Sequence, residues 1–246
     1  MAYIRKLSEV ATEIFVVMEV NTVFPGQTKD FFDNSPTMQA YFAKVLAAEL
    51  EIFGGLDFSP RNVSVLPVKM GDVNLLSKED LSSALHSDAY LIFGSSFLKG
   101  WLVDELIANS AVNIHMGISP YYRGSSCNFW ALYDDNPAFV GATVHTLSTG
   151  LDNGAVLFHS RPEFHGQNSF SFSMAAVQKV QDELVSRLVS GDLLNLGPRM
   201  LDGSKQLRYT RNRDFTDGVA NEFLGRDYST AQFEELLYSK PQPDLI

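Results

Sequence analysis

The stretch from Asn113 to Gly124 reads Asn-Ile-His-Met-Gly-Ile-Ser-Pro-Tyr-Tyr-Arg-Gly and passes from an apolar segment into a loop rich in turn residues. It is preceded by the apolar run 89–93, which has the length and β-rich composition of a buried strand, and by a helix-like segment at 101–109. Residues 112–115 form the next predicted strand. This order of strand, helix and strand predicts an α/β fold with a doubly wound, mostly parallel sheet.

Two polar side chains stand at the end of the second of these strands. Asn113 and His115 are separated by one residue, so both side chains point to the same face of the sheet. The carboxyl ends of parallel strands carry the ligand sites of doubly wound folds. An Asn-x-His pair alone is structural more often than catalytic, because buried polar side chains commonly satisfy the backbone of a loop. The pair therefore indicates a site only together with further residues.

Such further residues follow in the sequence. The loop at 119–124 reads Ser-Pro-Tyr-Tyr-Arg-Gly, and residues 150–154 read Gly-Leu-Asp-Asn-Gly. Together with Asn-x-His, these segments resemble the signature of the formyltransferases that use 10-formyltetrahydrofolate. That family includes glycinamide ribonucleotide formyltransferase, methionyl-tRNA formyltransferase and the sugar-nucleotide N-formyltransferases. The similarity runs from about Asp88 to Phe164 and extends weakly, in the order of elements, to most of the chain.

The resemblance implies a Rossmann-like formyltransferase with 10-formyltetrahydrofolate as the formyl donor and a small-molecule amine as the acceptor. It assigns the catalytic positions to Asn113, His115 and Asp152. It places the folate next to Ser96, Phe97, Leu98, Gly150 and Leu151. The acceptor-side residues it implies are Ser119, Tyr122, Arg123 and Gly124. Arg123 either contacts an anionic acceptor or pairs with an acid, and Gly124 shapes the loop.

The three catalytic positions match the chemistry of formyl transfer. The reaction passes through a tetrahedral intermediate, which needs a donor for its oxygen and groups that carry protons. Asn113 offers an amide N–H, and His115 has an imidazole that can donate or shuttle protons near neutral pH. Asp152 can orient His115 and hold a water or the amine. We expect all three to converge on one cleft, and the reaction requires neither a metal nor a covalent enzyme intermediate.

Composition limits the partners of the protein. The 246-residue chain is long enough for one α/β domain with a sizeable core. Its net charge of −10 and the absence of a basic run argue against a nucleic acid partner. The single cysteine, Cys127, excludes an internal disulfide and is interpreted as a small buried side chain. No apolar run approaches a membrane span, so we expect a cytoplasmic protein, with a homo-oligomer as a possibility.

Hydrophobic periodicity outlines the remaining elements. Predicted helices lie at 3–12, 37–53, 75–85, 125–133 and 170–190, and predicted strands at 13–20, 62–68, 88–93, 141–147 and 155–159. Residues 1–196 are expected to form the catalytic domain. Residues 197–246, where Gly, Arg and Asp are scattered among isolated apolar residues, are expected to form a small C-terminal appendage.

The N-terminus departs from the family that the chain resembles. In that family a first strand precedes the opening helix and runs through the middle of the sheet, next to the strand predicted here at 13–20. No such strand is visible in this sequence. We therefore expect a sheet with a gap, which residues before Met1 or a segment of a partner chain would fill. A continuous sheet formed by this chain alone would contradict that expectation.

Several activities are compatible with the motifs. An amino sugar on a nucleotide is the favoured acceptor, because the acidic chain suits tRNA poorly and is too short for the additional C-terminal domain of the tRNA-directed branch. A methionyl-tRNA formyltransferase-like enzyme nevertheless remains an alternative. A deformylase would use the same three residues to pass the formyl group to water. A non-catalytic folate-binding protein is the alternative from a different class.

Overall fold

The computed structural model describes residues 1–20, 35–55, 57–150 and 154–246, except for the side chain of residue 194. The helices are α1 (Ala2–Ser8), α2 (Pro36–Phe53), α3 (Trp101–Ala108), α4 (Cys127–Tyr133), α5 (Ser169–Ser190), α6 (Asp217–Leu224) and α7 (Thr230–Ser239). The strands are β1 (Ile14–Val20), β2 (Val63–Lys69), β3 (Leu91–Phe93), β4 (Val112–His115), β5 (Tyr122–Gly124), β6 (Ala142–Thr146), β7 (Val156–Ser160) and β8 (Arg208–Thr210).

The strands form one larger sheet and two pairs. The larger sheet has the order β3-β4-β6-β7, in which β3 and β4 are parallel and the contacts of β6 with β4 and β7 are antiparallel. The pairs β1-β2 and β5-β8 are both parallel. The α/β class and the prevalence of parallel pairing are therefore confirmed. The antiparallel strands β6 and β7 extend the sheet on the side of β4 away from β3.

Helix α5 packs against this sheet, and residues that favour helix ends cap both of its termini. The side chain of Asn168 accepts hydrogen bonds from the backbone N–H groups of Phe170 and Ser171, and Gly191 ends the helix with a φ of 75°. Its buried residues Val180 and Leu184 join a core cluster with the apolar side chains of β4, β6 and β7. This packing fixes the strands whose ends carry the candidate site.

The β1-β2 pair is separate from the larger sheet. In the part of the chain that the structure describes, no strand pairing joins β1 to β3. The two units are connected by the carboxylate of Glu19, which accepts hydrogen bonds from the Ser96 N–H (2.6 Å), the Ser96 hydroxyl (2.7 Å) and the Gly71 N–H (2.7 Å). The described strands thus form no continuous sheet, and the absence of the family's first strand stays a prediction.

The predicted helix at 75–85 is wrong. A short 3₁₀ helix spans Asp72–Leu75, and hydrogen-bonded turns follow it. The side chain of Asp80 accepts from the N–H and the hydroxyl of Ser77, and later bonds such as Ser82 N–H to Glu79 C=O join residues only three apart. Serine and aspartate side chains that bond to nearby backbone compete with a regular helix.

The C-terminal residues contain elements that the sequence did not predict. Helix α6 begins at the cap residue Thr216, and α7 begins at a capping box formed by Ser229 and Gln232. Both helices are short, and each buries only a few apolar residues, which include Phe223 of α6 and Phe233 of α7. Such short helices give little hydrophobic periodicity in the sequence, so they are hard to predict. In the structure they complete the aromatic core around Tyr41 and Phe129.

Candidate active site

Asn113 lies on β4 with its amide group oriented by a neighbouring histidine. Its Nδ2 atom is 3.0 Å from Nε2 of His145, which lies on the adjacent strand β6. Nδ1 of His145 is 2.9 Å from the carbonyl oxygen of Thr146. Because a carbonyl only accepts, Nδ1 carries the proton, and Nε2 accepts from Asn113. The second N–H of the Asn113 amide then remains able to donate to another oxygen.

His115 is the last residue of β4 and is only 8% exposed. Its Nε2 atom is 3.5 Å from the sulfur of Cys127, the first residue of α4. A Cβ atom on Gly117 would lie 2.5 Å from Cβ of Cys127 and 3.1 Å from Nε2 of His115. Glycine at 117 is therefore what allows the loop to pass over the imidazole. The predicted burial of Cys127 is confirmed, and its contact with His115 is a feature that the sequence did not reveal.

Strands β6 and β7 hold the loop that follows His115. The hydroxyl of Thr143 donates to the carbonyl of Gly117 (2.6 Å) and accepts from the N–H of Ser119 (2.8 Å). The carbonyl of Ser119 accepts from Nε2 of His159 (2.9 Å). Thr143 and His145 are both on β6 and separated by one residue, so one face of this strand supports both the loop and the Asn113 amide.

The acceptor-side residues lie where the loop forms β5. Tyr122 is buried, and its hydroxyl contacts Asp134 (3.2 Å) and the side-chain amide of Asn136 (2.9 Å). Gly124 has a φ of 92°, and a Cβ atom there would lie 1.9 Å from the carbonyl oxygen of Thr210 on β8. Gly124 thus shapes the loop, whereas the Tyr122 hydroxyl is held by neighbouring side chains. Their contact with an acceptor stays a prediction.

A small cavity opens beside these residues. It has a volume of about 70 Å³ and lies between the loop, β6 and the C-terminal segment. The residues lining it are Ser119, Pro120, Arg123, Thr143, His145, Gly154, Val156, Met200, Leu201 and Gly203. Two of the four predicted acceptor residues, Ser119 and Arg123, are therefore brought together with His145, the partner of Asn113.

The predicted folate-binding residues after β3 have different surroundings. Ser96 is bound to Glu19, as described above, and the side chain of Leu98 is buried in a core cluster. Phe97 is 55% exposed and is the one of the three with a large surface available for a ligand. Burial raises the pKa of Glu19, but the hydrogen bonds from Ser96 and Gly71 outweigh it and lower the pKa of this carboxyl below its usual value. Glu19 is therefore ionised at neutral pH and fixes the backbone at Ser96.

Of the Gly-Leu-Asp-Asn-Gly motif at 150–154, the structure describes only the first and the last residue, Gly150 and Gly154. Leu151 and Asp152 lie outside the described residues, and their predicted roles stay predictions. The carbonyl of Gly150 accepts from the Ser148 hydroxyl at 3.2 Å. A Cβ atom on Gly154 would lie 1.6 Å from the carbonyl oxygen of Thr146 and 2.8 Å from Nδ1 of His145. The glycine that closes the motif therefore lies directly against the histidine that orients Asn113.

The described residues have neither a cluster of metal-binding side chains nor a helix suited to a membrane. They contain no group of three or more His, Cys, Asp and Glu residues that could hold a metal ion. Among their helices, none has both the length and the apolar character needed to span a membrane.

The comparisons with known sequences point to one family. Residues 89–189 match the family model described as formyl transferase. A methionyl-tRNA formyltransferase from Synechococcus sp. (strain JA-2-3B'a(2-13)) is 26% identical over 123 residues, which are 50% of this chain and 38% of that protein. The chain thus spans well under half the length of this curated relative.

The comparisons with solved structures concern the fold. The formyltransferase PseJ from Anoxybacillus kamchatkensis is 15% identical, with 91% of this chain and 97% of that chain covered and a TM-score of 0.52. An uncharacterised protein from Mycobacterium tuberculosis is also 15% identical, with 95% and 89% covered and a TM-score of 0.50. The architecture described above is therefore that of the formyltransferases. The resemblance carried by the Asn-x-His, Pro-x-x-x-Gly and Leu-Asp-x-Gly motifs is thus confirmed by the match of residues 89–189 to the formyl transferase family model.

Proposed function

We propose that this protein transfers a formyl group from 10-formyltetrahydrofolate to a primary amine. The observation that carries the proposal is the amide of Asn113, which His145 orients at the end of β4 next to the buried His115. An oriented, uncharged N–H donor at such a position suits the oxygen of a tetrahedral intermediate. This arrangement lies inside the segment that matches the formyl transferase model.

Each residue has a defined role in the proposed reaction. The amine nitrogen attacks the formyl carbon, and Asn113 donates its second N–H to the oxygen that becomes negative. A bond between the acceptor nitrogen and the formyl carbon forms, and the bond to N10 of the folate breaks. His115 and Asp152 carry the proton from the amine to the leaving nitrogen, directly or through a water. His115→Ala and Asp152→Asn should each slow turnover roughly 10²-fold or more without loss of folate binding.

The donor and its binding residues are part of the proposal. Tetrahydrofolate is present in the structure of PseJ, whose fold this chain shares. We assign the pterin to the segment after β3, with Ser96, Phe97 and Leu98, and to the motif residues Gly150 and Leu151. Exposed Phe97 offers an aromatic face for stacking, and Ser96 offers a backbone position fixed by Glu19.

We favour an amino sugar on a nucleotide as the acceptor. The PseJ structure holds UDP-4,6-dideoxy-4-formamido-L-AltNAc, a formylated sugar nucleotide. The relative that acts on methionyl-tRNA supports the tRNA alternative, but the net charge of −10 opposes binding of a polyanion of that size. A cytoplasmic location and a homo-oligomeric state also remain predictions.

Release of tetrahydrofolate from 10-formyltetrahydrofolate, measured over a panel of amines, tests the proposal. Release that depends on an amino sugar nucleotide supports transfer to that acceptor. Release at the same rate without any amine would mean hydrolysis, as in a deformylase. Binding of the folate without release would mean a non-catalytic folate-binding protein. Release that requires methionyl-tRNA would mean that the acceptor is this tRNA and not an amino sugar nucleotide.

A further inference from the structure

We propose that Asn74 is a positioning residue for the folate, because it fixes the backbone of residues 96–99. This role rests on the proposed function, in which the same segment binds the pterin. Asn74 belongs to the short 3₁₀ helix Asp72–Leu75, which precedes β3 in the chain and lies outside the motifs. It would act on the folate only through the backbone that it holds.

The side-chain amide of Asn74 bonds the backbone on both sides of Leu98. Its Nδ2 atom donates to the carbonyl of Phe97 (3.0 Å), and its Oδ1 atom accepts from the N–H of Lys99 (2.8 Å). A carboxamide carries both a donor and an acceptor, so one side chain can satisfy a C=O and an N–H of the same segment. Two bonds from one planar group fix the direction of the backbone between them as well as its position.

The helix that carries Asn74 is also tied to the start of the segment. It begins after Gly71, whose N–H donates to the carboxylate of Glu19 at 2.7 Å. The same carboxylate accepts from the N–H of Ser96 at 2.6 Å. Residues 96–99 are thus held at their start through Glu19 and further along through Asn74, and both connections meet at one short helix.

The residues that follow the helix and the segment are in contact as well. Nε1 of Trp101, the first residue of α3, donates to the carbonyl of Leu76 at 3.0 Å. The ammonium group of Lys78 lies 5.5 Å from the centre of the Trp101 ring and 2.9 Å from the carboxylate of Glu105. These contacts keep residues 72–78 against the start of α3, so Asn74 stays within reach of Phe97 and Lys99.

The two bonds of Asn74 suit a positioning role better than a stabilising one. Both are exposed to solvent, so water can replace them in the unfolded chain and their net contribution to stability is small. The Phe97 side chain is exposed too, and core packing therefore does not fix it. A segment that is already ordered binds its ligand without the entropic cost of ordering. Loss of Asn74 should therefore reduce folate affinity more than stability.

The test is Asn74→Ala, with the dissociation constant of tetrahydrofolate measured by titration calorimetry. Binding should weaken about 5- to 10-fold, because the two lost bonds no longer order the segment. The KM for 10-formyltetrahydrofolate should rise by the same factor, while kcat at saturating folate stays within about 2-fold of wild type. Amide hydrogen exchange should become faster at Lys99, and Ser96, which is bonded to Glu19, should keep its rate.

Two control variants separate positioning from other effects. Asn109→Ala is the matched control, because this exposed asparagine also bonds a backbone carbonyl, that of Glu105, but does not touch residues 96–99. Leu81→Ala removes a buried side chain from the core cluster that contains Leu98 and leaves the bonds of Asn74 in place. Its thermal midpoint should fall. In both controls the affinity for tetrahydrofolate should match that of wild type.

Several results would overturn the inference. One is unchanged tetrahydrofolate affinity, or unchanged exchange at Lys99, in Asn74→Ala. Tighter binding in this variant would mean that the Asn74 amide competes with the folate for the same backbone groups. An equal loss of affinity in Leu81→Ala would reduce the effect to lower stability. A wild type that binds no tetrahydrofolate would contradict the proposed function together with this role, whereas binding without formyl transfer would contradict the proposed transfer alone.

Discussion

The Asn113 amide and the His145 imidazole form one hydrogen-bonded unit that ends at the Thr146 carbonyl. The backbone carbonyl fixes the tautomer of His145, and the tautomer fixes which side of the amide faces the histidine. His145 therefore acts as a positioning residue: it leaves the Asn113 amide with one N–H to donate.

Replacement of His145 by alanine should lower the rate of formyl transfer about 5- to 30-fold, because the lost hydrogen bond of about 1–2 kcal/mol leaves the Asn113 amide free to rotate. Steady-state kinetics should place the loss in kcat, with an unchanged KM for the folate. His165→Ala is the control, since that histidine is exposed and does not line the cavity. A His145→Ala enzyme with wild-type kcat would show that the orientation of Asn113 does not depend on this contact.

Among the secondary-structure elements, the β5-β8 pair joins residues 208–210 to the loop of the site. The backbone of Gly124 passes so close to Thr210 that no side chain fits between them. The N–H of Ser125 donates to the carbonyl of Thr210 at 2.9 Å, and the Thr210 hydroxyl donates to the carbonyl of Ser125 at 2.7 Å. Damage to this pairing should therefore reach the site.

Gly124→Ala should destabilise the protein by roughly 2–6 kcal/mol, the combined cost of an unfavourable backbone conformation and an overpacked contact. Thermal unfolding monitored by circular dichroism measures the effect. Gly197→Ala is the matched control, because Gly197 has no positive φ and nothing within 4 Å of an added Cβ atom. Equal midpoints for the two variants would mean that the β5-β8 pairing adjusts without cost.

The Glu19 carboxylate provides a polar link between β1 and the segment after β3, in addition to the packing of Val17 and Val68 against the core cluster that contains Ile92. Glu19→Ala removes its bonds to Gly71 and Ser96 and should speed amide hydrogen exchange in β1, β2 and the segment after β3. In wild type the lowered pKa means that this link contributes fully above the usual glutamate pKa and is lost as the pH falls through the folded pKa. Glu234→Ala, at an exposed position on α7, serves as the reference. Unchanged exchange in Glu19→Ala would exclude the carboxylate as the link.

The sequence predicted these elements to the extent that each had a strong local pattern. The long amphipathic α5 and the apolar strands β1 and β4 match their predicted positions within a few residues. Strand β5 was predicted as a loop, because three residues that pair with a distant strand have no periodicity of their own. The helix predicted at 75–85 was wrong although its local pattern was clear. Its apolar spacing is helical, but its Ser and Asp side chains form hydrogen bonds with nearby residues instead.

Features of the site that depend on distant residues were likewise not predictable from local sequence patterns. The motifs selected Asn113, His115 and the loop as candidates, whose roles stay predictions, and alternation along a strand assigned Asn113 and His115 to the same face. The contact of Cys127 with His115 and the cavity wall at residues 200–203 depend on residues far apart in the sequence, so no local pattern could predict them.

At the scale of the whole molecule, the C-terminal residues are attached to the back of the site loop through His159. The N–H of Ile246 donates to Nδ1 of His159 at 3.0 Å, and the carbonyl of Ile246 accepts from the His159 N–H at 3.0 Å. Nε2 of the same ring donates to the carbonyl of Ser119. A neutral His159 thus connects the C-terminal residues to the loop at 117–124 of the candidate site.

This connection should depend on pH. Burial lowers the pKa of His159 below its ordinary value, although the bond to Ser119 opposes the shift. The unfolded chain therefore binds this proton first, and the stabilisation is present above the unfolded pKa of about 6.5 and is lost as the pH falls from there through the folded pKa. The thermal midpoint should fall more steeply between about pH 7 and pH 5 in wild type than in His159→Gln. His165→Gln should keep the wild-type slope, and equal slopes in all three would refute the role of His159.

Single-turnover formyl transfer from 10-formyltetrahydrofolate to an amino sugar nucleotide, with tetrahydrofolate binding measured in parallel, tests whether Asn113 and His115 form the site of formyl transfer. We predict that Asn113→Ala and His115→Ala each reduce the rate by about 10²-fold or more, while the dissociation constant for tetrahydrofolate stays within about 3-fold of wild type. Wild-type rates in either variant would contradict the assignment of this site as the centre of formyl transfer.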